Sequence, residues 1–198
     1  MTNLSTEIII KGLYPPIQGL ARRLLSQMLA LTGRAMNVVQ GYRGYQEQEN
    51  IYSIGRKQDP ETGTWVIENP GLVVTNALPG KSLHNLGLAF DCAFAGADPY
   101  LKKELPEVRN LFWRTYSEIG LELGFKPGRD IKLLKIIDWP HMQMDFGLPL
   151  SNLLAWFDAS ENDPQKFYAL LDNEKLSGRI QLASSKKINH YKEGGETT

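Results

Sequence analysis

The segment Ser82-Leu83-His84-Asn85-Leu86-Gly87-Leu88-Ala89-Phe90-Asp91 decides how this chain folds around its chemistry. Leu88 to Phe94 alternates as a strand does, which puts Asp91 inside that strand. His84 lies seven residues earlier. On one unbroken strand an odd separation sends two side chains to opposite faces. The pair converges only if the chain turns between them, and Asn85 and Gly87 supply residues suited to that turn. An aspartate flanked by Phe90, Cys92, Ala93 and Phe94 is costly to bury unless it is paired or bound to a metal. Two imidazoles and one carboxylate form an open ligand set for catalytic zinc, so a second histidine is needed.

It is found in Asp138-Trp139-Pro140-His141-Met142-Gln143. Asp138 and His141 are three apart, but Pro140 argues against a helix and fixes a turn before the histidine. His141 is then available as the third ligand from a neighbouring strand. Asp138 stands beside the metal without binding it, where a general base belongs. Such a base takes a proton from the attacking water and later hands it to the leaving amine. Taken singly, either histidine reads more readily as a structural residue among apolar neighbours than as a ligand. Asp91 alone reads as a strand-end carboxylate and Asp138 alone as a turn cap. The joint pattern is what points to a metal. His190, the third histidine, sits in a polar tail and reads as a solvated surface residue.

Outward from these segments, Pro15-Pro16 precede an amphipathic helix carrying Leu20, Leu24, Leu25, Met28, Leu29 and Leu31, with Gly33 as its stop. Ala35 to Gln40 reads as a strand and Gly44 to Ile54 as a second helix. Residues 56–81 are rich in turn signals and read as a long loop region. Leu101 to Leu123 has helical spacing, broken early by Pro106 and ended by Gly124. Ile131 to Ile137 and His141 to Phe146 read as two strands meeting at Trp139-Pro140. Asn152 to Phe157 and Pro164 to Leu171 read as short closing helices. The class is α+β: a small antiparallel sheet with helices packed on one face, a zinc site at the sheet, and a short helical C-terminal extension.

Bulk properties narrow the function. Lys plus Arg and Asp plus Glu both total 22, so the net charge is zero and no polyanionic partner is called for. No nucleic-acid partner is expected. Cys92 is alone, which excludes an intramolecular disulfide and a thiolate zinc cluster. No stretch approaches the ~20 apolar residues that span a bilayer, so no integral membrane association is expected. Ile8-Ile9-Ile10 is too short for the apolar region of a secretory leader. Synthesis in the cytoplasm and release by other means, for example through a holin, is the expectation. A monomer is expected.

The joint pattern resembles the zinc D-Ala-D-Ala peptidase and L-Ala-D-Glu endopeptidase family, which includes vancomycin-resistance dipeptidases, wall carboxypeptidases and phage endolysins. Its first signature, Ser-x-His, three residues, Gly-x-Ala-x-Asp, is matched by Ser82, His84, Gly87, Ala89 and Asp91. Its second, an acidic residue two residues before a histidine, often with proline just ahead, is matched by Asp138, Pro140 and His141. Its Gly-Tyr-Arg element, with glutamine five residues after the arginine, is matched by Gly41, Tyr42, Arg43 and Gln48. The resemblance covers roughly residues 15–147. It implies one Zn2+ per chain held by His84, Asp91 and His141. It implies Asp138 as catalytic base and acid, and Arg43 as the cation that steadies the developing oxyanion. Ser82 is implied to orient the site or contact substrate. Gln48, grouped with Ser82 on the substrate-binding side, fits support behind the site or, nearly as well, an exposed helix position.

The implied partner is the peptidoglycan stem peptide. Asp at position 138, where carboxypeptidase and dipeptidase members usually carry Glu, leans toward an L-alanyl-D-glutamate endopeptidase of endolysin type. A D-alanyl-D-alanine carboxypeptidase or dipeptidase is the alternative with the same chemistry. A non-catalytic wall-binding or virion structural domain is the alternative from another class. Departures from the family are Gly44 in place of a frequent Ser, and Pro127-Gly128-Arg129-Asp130-Ile131 where endolysin-like members often have Trp-Gly-Gly-Asp-Trp. The implied division is a zinc peptidase domain over 1–147, with residues 148–198 as a helical cap and polar tail of the same domain.

Overall fold

A computed structural model describes residues 3–131 and 137–178. The strand expected over 131–137 falls largely on residues outside that range, as do His190 and the polar tail. Along the chain run α1 (Leu4–Lys11), α2 (Pro15–Thr32), β1 (Met36–Gln40), α3 (Tyr45–Ser53), β2 (Arg56–Gln58) and β3 (Trp65–Ile67). They are followed by β4 (Ala89–Phe94), α4 (Pro106–Glu122), β5 (Lys126–Pro127), β6 (His141–Gln143), α5 (Leu150–Ala159) and α6 (Pro164–Leu176).

Four strands form one antiparallel sheet in the order β1-β4-β6-β5. Met36, Val38, Phe90, Cys92, Phe94 and Met142 share one face by their register and are all buried. Helices α2 and α4 cover that face. Phe94 meets Trp113 edge-on at 5.0 Å, and α2 contributes Ala21, Leu24, Leu25 and Met28 to the same core. Each buried Val, Leu, Met or Phe among them contributes roughly 1.5–3 kcal/mol. The architecture is the α+β class expected from the sequence. The opposite face carries Ala89, Asp91, His141 and Gln143.

Several local outcomes differ from the sequence reading, among them β5 as the partner of β6 and the end of β6 at Gln143 rather than Phe146. Helix α1 was not foreseen. Its β-branched run Ile8-Ile9-Ile10 has weak helix propensity, and tertiary packing decides: Thr6 and Ile10 are buried, and the Thr6 hydroxyl lies 3.3 Å from Asn37 Oδ1 beside β1. Pro106 starts α4 instead of breaking it, since proline suits the first helical turn, where its missing N–H has no partner to lose. The region 56–81 contains a hairpin, β2 paired with β3, separate from the main sheet. Its turn is set by Asp59, whose carboxylate accepts N–H bonds from Glu61 and Thr62 at 2.9 Å each, and Trp65 packs edge-on against Tyr52 of α3.

The C-terminal helices enter the same buried cluster through Leu153, Phe157, Phe167, Tyr168 and Leu171. Tyr14 donates its hydroxyl to Asp172 of α6 at 2.5 Å, and its N–H to the Gly87 carbonyl at 3.0 Å. No helix among the described residues is long and apolar enough to cross a membrane.

Candidate metal centre

His84 is carried on a 3-10 turn, Leu83–Leu86. Ser82 caps it: its side chain accepts the His84 N–H at 3.3 Å, while Asn85 Oδ1 accepts the Ser82 N–H at 3.2 Å. Gly87 ends the turn with φ +67°, a left-handed conformation that glycine adopts without cost, and a Cβ there would run into the Tyr168 hydroxyl. The chain then enters β4. The turn between His84 and Asp91 that the spacing required is therefore present.

This turn is stitched to the Gly-Tyr-Arg segment. Arg43 N–H donates to the His84 carbonyl at 3.0 Å, and Asn85 Nδ2 donates to the Arg43 carbonyl at 2.8 Å. Strand β1 bulges where it passes Asp91, so Gln40 rather than Val39 stands opposite it, and the chain leaves the sheet at Gly41. The Gly41 carbonyl accepts a hydrogen bond from His84 Nδ1 at 2.9 Å.

Asp91 and His141 are cross-strand partners in the β4–β6 ladder. The approach to His141 is pinned from several sides. The Pro140 carbonyl accepts the Cys92 N–H at 3.0 Å and the Tyr116 hydroxyl at 2.9 Å, and His141 N–H donates back to the Asp138 carbonyl at 3.3 Å. Gly128 lies directly under this turn, and a Cβ on it would overlap the Asp138 carbonyl and come within 2.9 Å of His141 Cβ.

Three atoms converge. His84 Nε2 is 3.3 Å from His141 Nδ1, His141 Nδ1 is 3.1 Å from Asp91 Oδ1, and His84 Nε2 is 3.5 Å from Asp91 Oδ1. Ligand bonds of ~2.0–2.1 Å at tetrahedral angles separate neighbouring donor atoms by about 3.3 Å. The triangle has the dimensions of one face of such a polyhedron. His84, Asp91 and His141 can hold a metal ion.

The electrostatics agree with a cation site. Burial pushes the Asp91 carboxyl up, but hydrogen bonds and charge from His141 and His84 outweigh it and hold the group far below the usual carboxylate range. Burial pulls His141 down, yet the bond to Asp91 and the charges of Asp91 and Asp138 leave it raised. The Asp138 carboxyl is raised by desolvation, with Asp91 adding and the histidines offsetting. Asp138 is nonetheless an exposed residue.

The other residues singled out in the sequence divide between front and back of the site. Gln48 is fully buried in α3. It accepts from Arg43 Nη1 at 3.0 Å and donates to the Ala77 carbonyl at 2.8 Å, so it stands behind Arg43 and is not the exposed helix residue that its position also allowed. Burial lowers the Arg43 guanidinium, and the charges of Asp91 and Glu47 counter it. Ser82 serves as the cap of the ligand turn.

The sequence model described as D-alanyl-D-alanine carboxypeptidase, VanY, matches residues 16–143. The chain belongs to the VanY family. The matched span holds Arg43, the ligand turn, β4 and His141, and it closes at Gln143 on the same strand as His141. Outside the VanY span lie α1, α5 and α6. One relative is the peptidoglycan L-alanyl-D-glutamate endopeptidase CwlK of Bacillus subtilis (strain 168), 32% identical over 111 residues, covering 54% of this chain and 59% of the relative. The chain thus spans about 59% of the length of that relative.

Asn85, read from the sequence as a turn residue, also closes a capping box three residues after Ser82, a spacing visible in Ser-Leu-His-Asn, and Gln143 was given no role. Gln143 lies two residues after His141, which on a strand means the same face, and meets His141 Nε2 at 3.1 Å.

Proposed function

We propose that this chain is a zinc-dependent peptidoglycan peptidase, acting as an L-alanyl-D-glutamate endopeptidase on wall stem peptides. The observation that carries the reading is the convergence of His84 Nε2, Asp91 Oδ1 and His141 Nδ1 at 3.1–3.5 Å. The likeness to CwlK supports the choice of bond, as does Asp at position 138. A zinc ion held there supplies Lewis acidity and brings the pKa of the attacking water toward neutrality. Asp138 receives the water's proton and returns it to the leaving amine; desolvation disfavours its charged form and so assists uptake of the proton. Arg43, held by Gln48, offers a fixed positive charge to the carbonyl oxygen as charge develops on it. Ser82 and Asn85 hold the ligand turn, and α5 and α6 act as a structural cap behind it. The protein works as a monomer on the cell wall.

The family description favours a second reading, D-alanyl-D-alanine carboxypeptidase. Purified peptidoglycan digested with the protein, with and without a chelator, separates the two by mass spectrometry. Chelator-sensitive release of fragments beginning at D-glutamate supports the endopeptidase. Loss of a terminal D-alanine moves the protein to the carboxypeptidase. Absence of any cleavage by zinc-loaded protein overturns both.

A further inference from the structure

The two candidate histidine ligands use different nitrogens. His84 turns Nε2 to the site and gives Nδ1 to the Gly41 carbonyl, which can only accept, so the proton sits on Nδ1. His141 turns Nδ1 to the site. Its remaining nitrogen, Nε2, lies 3.1 Å from Gln143 Oε1. With the amide oxygen there, Nε2 carries the proton, and Nδ1, 3.1 Å from Asp91 Oδ1, is the nitrogen left to a metal ion. Gln143 is well placed for this. It shares the face of β6 with His141, and its backbone is fixed by register to Ala89 on one side and Lys126 on the other.

We infer that Gln143 is a positioning residue that keeps the His141 proton on Nε2 and so selects Nδ1 as the metal-binding nitrogen. It plays for His141 the part that the Gly41 carbonyl plays for His84. The inference rests on the metal reading of the site. The two supports differ in kind. A backbone carbonyl cannot be altered by substitution, whereas an amide can present either end to the ring. Only its oxygen end favours the binding tautomer. Glutamate at this position would offer an acceptor alone, and leucine would offer nothing.

Zinc affinity, measured by competition with a chromogenic chelator, is compared for wild type, Q143L and Q143E. Removing an outer hydrogen-bond partner of a ligating histidine typically weakens metal binding about 10–100-fold. Q143L is expected to fall in that range, and Q143E to bind at least as tightly as wild type. The second measurement needs no variant. In 15N-labelled, zinc-loaded wild type, long-range 1H–15N imidazole spectra should show His141 protonated at Nε2 and His84 at Nδ1. Q143L binding as tightly as wild type, or a His141 proton on Nδ1 in the loaded protein, overturns the role of Gln143. Wild type that takes up no zinc overturns the metal reading itself, and is told apart by the wild-type titration alone.

Discussion

Asp91 and His141 face each other directly across β4 and β6, with His141 Nδ1 3.1 Å from Asp91 Oδ1. The sheet register thus sets one edge of the ligand triangle, and only His84 has to be delivered from outside the sheet. Both edges that end on Asp91 join a basic nitrogen to a carboxylate oxygen. The third joins two nitrogens whose lone pairs repel unless a cation lies between them.

Metal removal should therefore destabilise the protein as well as silence it. Zinc at about 1,000 times its dissociation constant adds roughly 4 kcal/mol to a folded state that alone binds it. Thermal unfolding with and without chelator measures this. Asp91→Ala and His84→Ala should each abolish most of the zinc-dependent increase in Tm, and an undiminished increase in either variant would remove that residue from the ligand set.

Asp138→Ala should keep zinc and fold but lose turnover, by about 10²–10⁴-fold for a general acid–base group. The base must be ionised to act, and its pKa is raised above the ordinary 3.8. Activity should accordingly rise as pH climbs through the acid limb, and the limb should be lost from the residual activity of Asp138→Ala. A pH–rate profile of the zinc-loaded enzyme reads the limb directly.

Gly128→Ala forces a Cβ into the Asp138 carbonyl and to 2.9 Å from His141 Cβ. Neither obstacle is the free end of a flexible side chain, so the turn must move. Overpacking of this kind costs about 1–3 kcal/mol. Unfolding midpoints and zinc affinity should both fall. Wild-type values for both would mean that the turn yields freely.

Tyr14→Phe deletes the hydroxyl that bonds Asp172 at 2.5 Å and leaves the buried ring in place. Asp172 is on an exposed stretch of α6, which limits the loss to about 1 kcal/mol. Urea unfolding should register it. Unchanged stability would show that this hydrogen bond adds nothing to the hold on α6.

The sequence carried the site further than it carried the frame. His84, Asp91 and His141 were legible because metal ligation demands particular residue types, and Gly87 announced the turn between two of them. The long helices α2 and α4 were legible from apolar spacing. Helix α1 was not, because three consecutive isoleucines say nothing about period, and its face is chosen by β1. The β2–β3 hairpin was hidden among turn residues, since strands of three residues leave too little alternation to detect. Gln48 offered no signal of burial: a glutamine in a helix rich in polar residues reads as solvated until Arg43 and the Ala77 carbonyl are seen around it.

The β2–β3 hairpin closes its ladder on itself rather than on the four-stranded sheet. Its length and side chains can drift without shifting the pairing of Asp91 with His141. A lineage built on this scaffold is thus free to remodel the segment between Gly55 and Asn76 while Asp91 and His141 stay in register, and a hairpin grafted from a relative has one contact to keep, that of Trp65 with Tyr52 of α3.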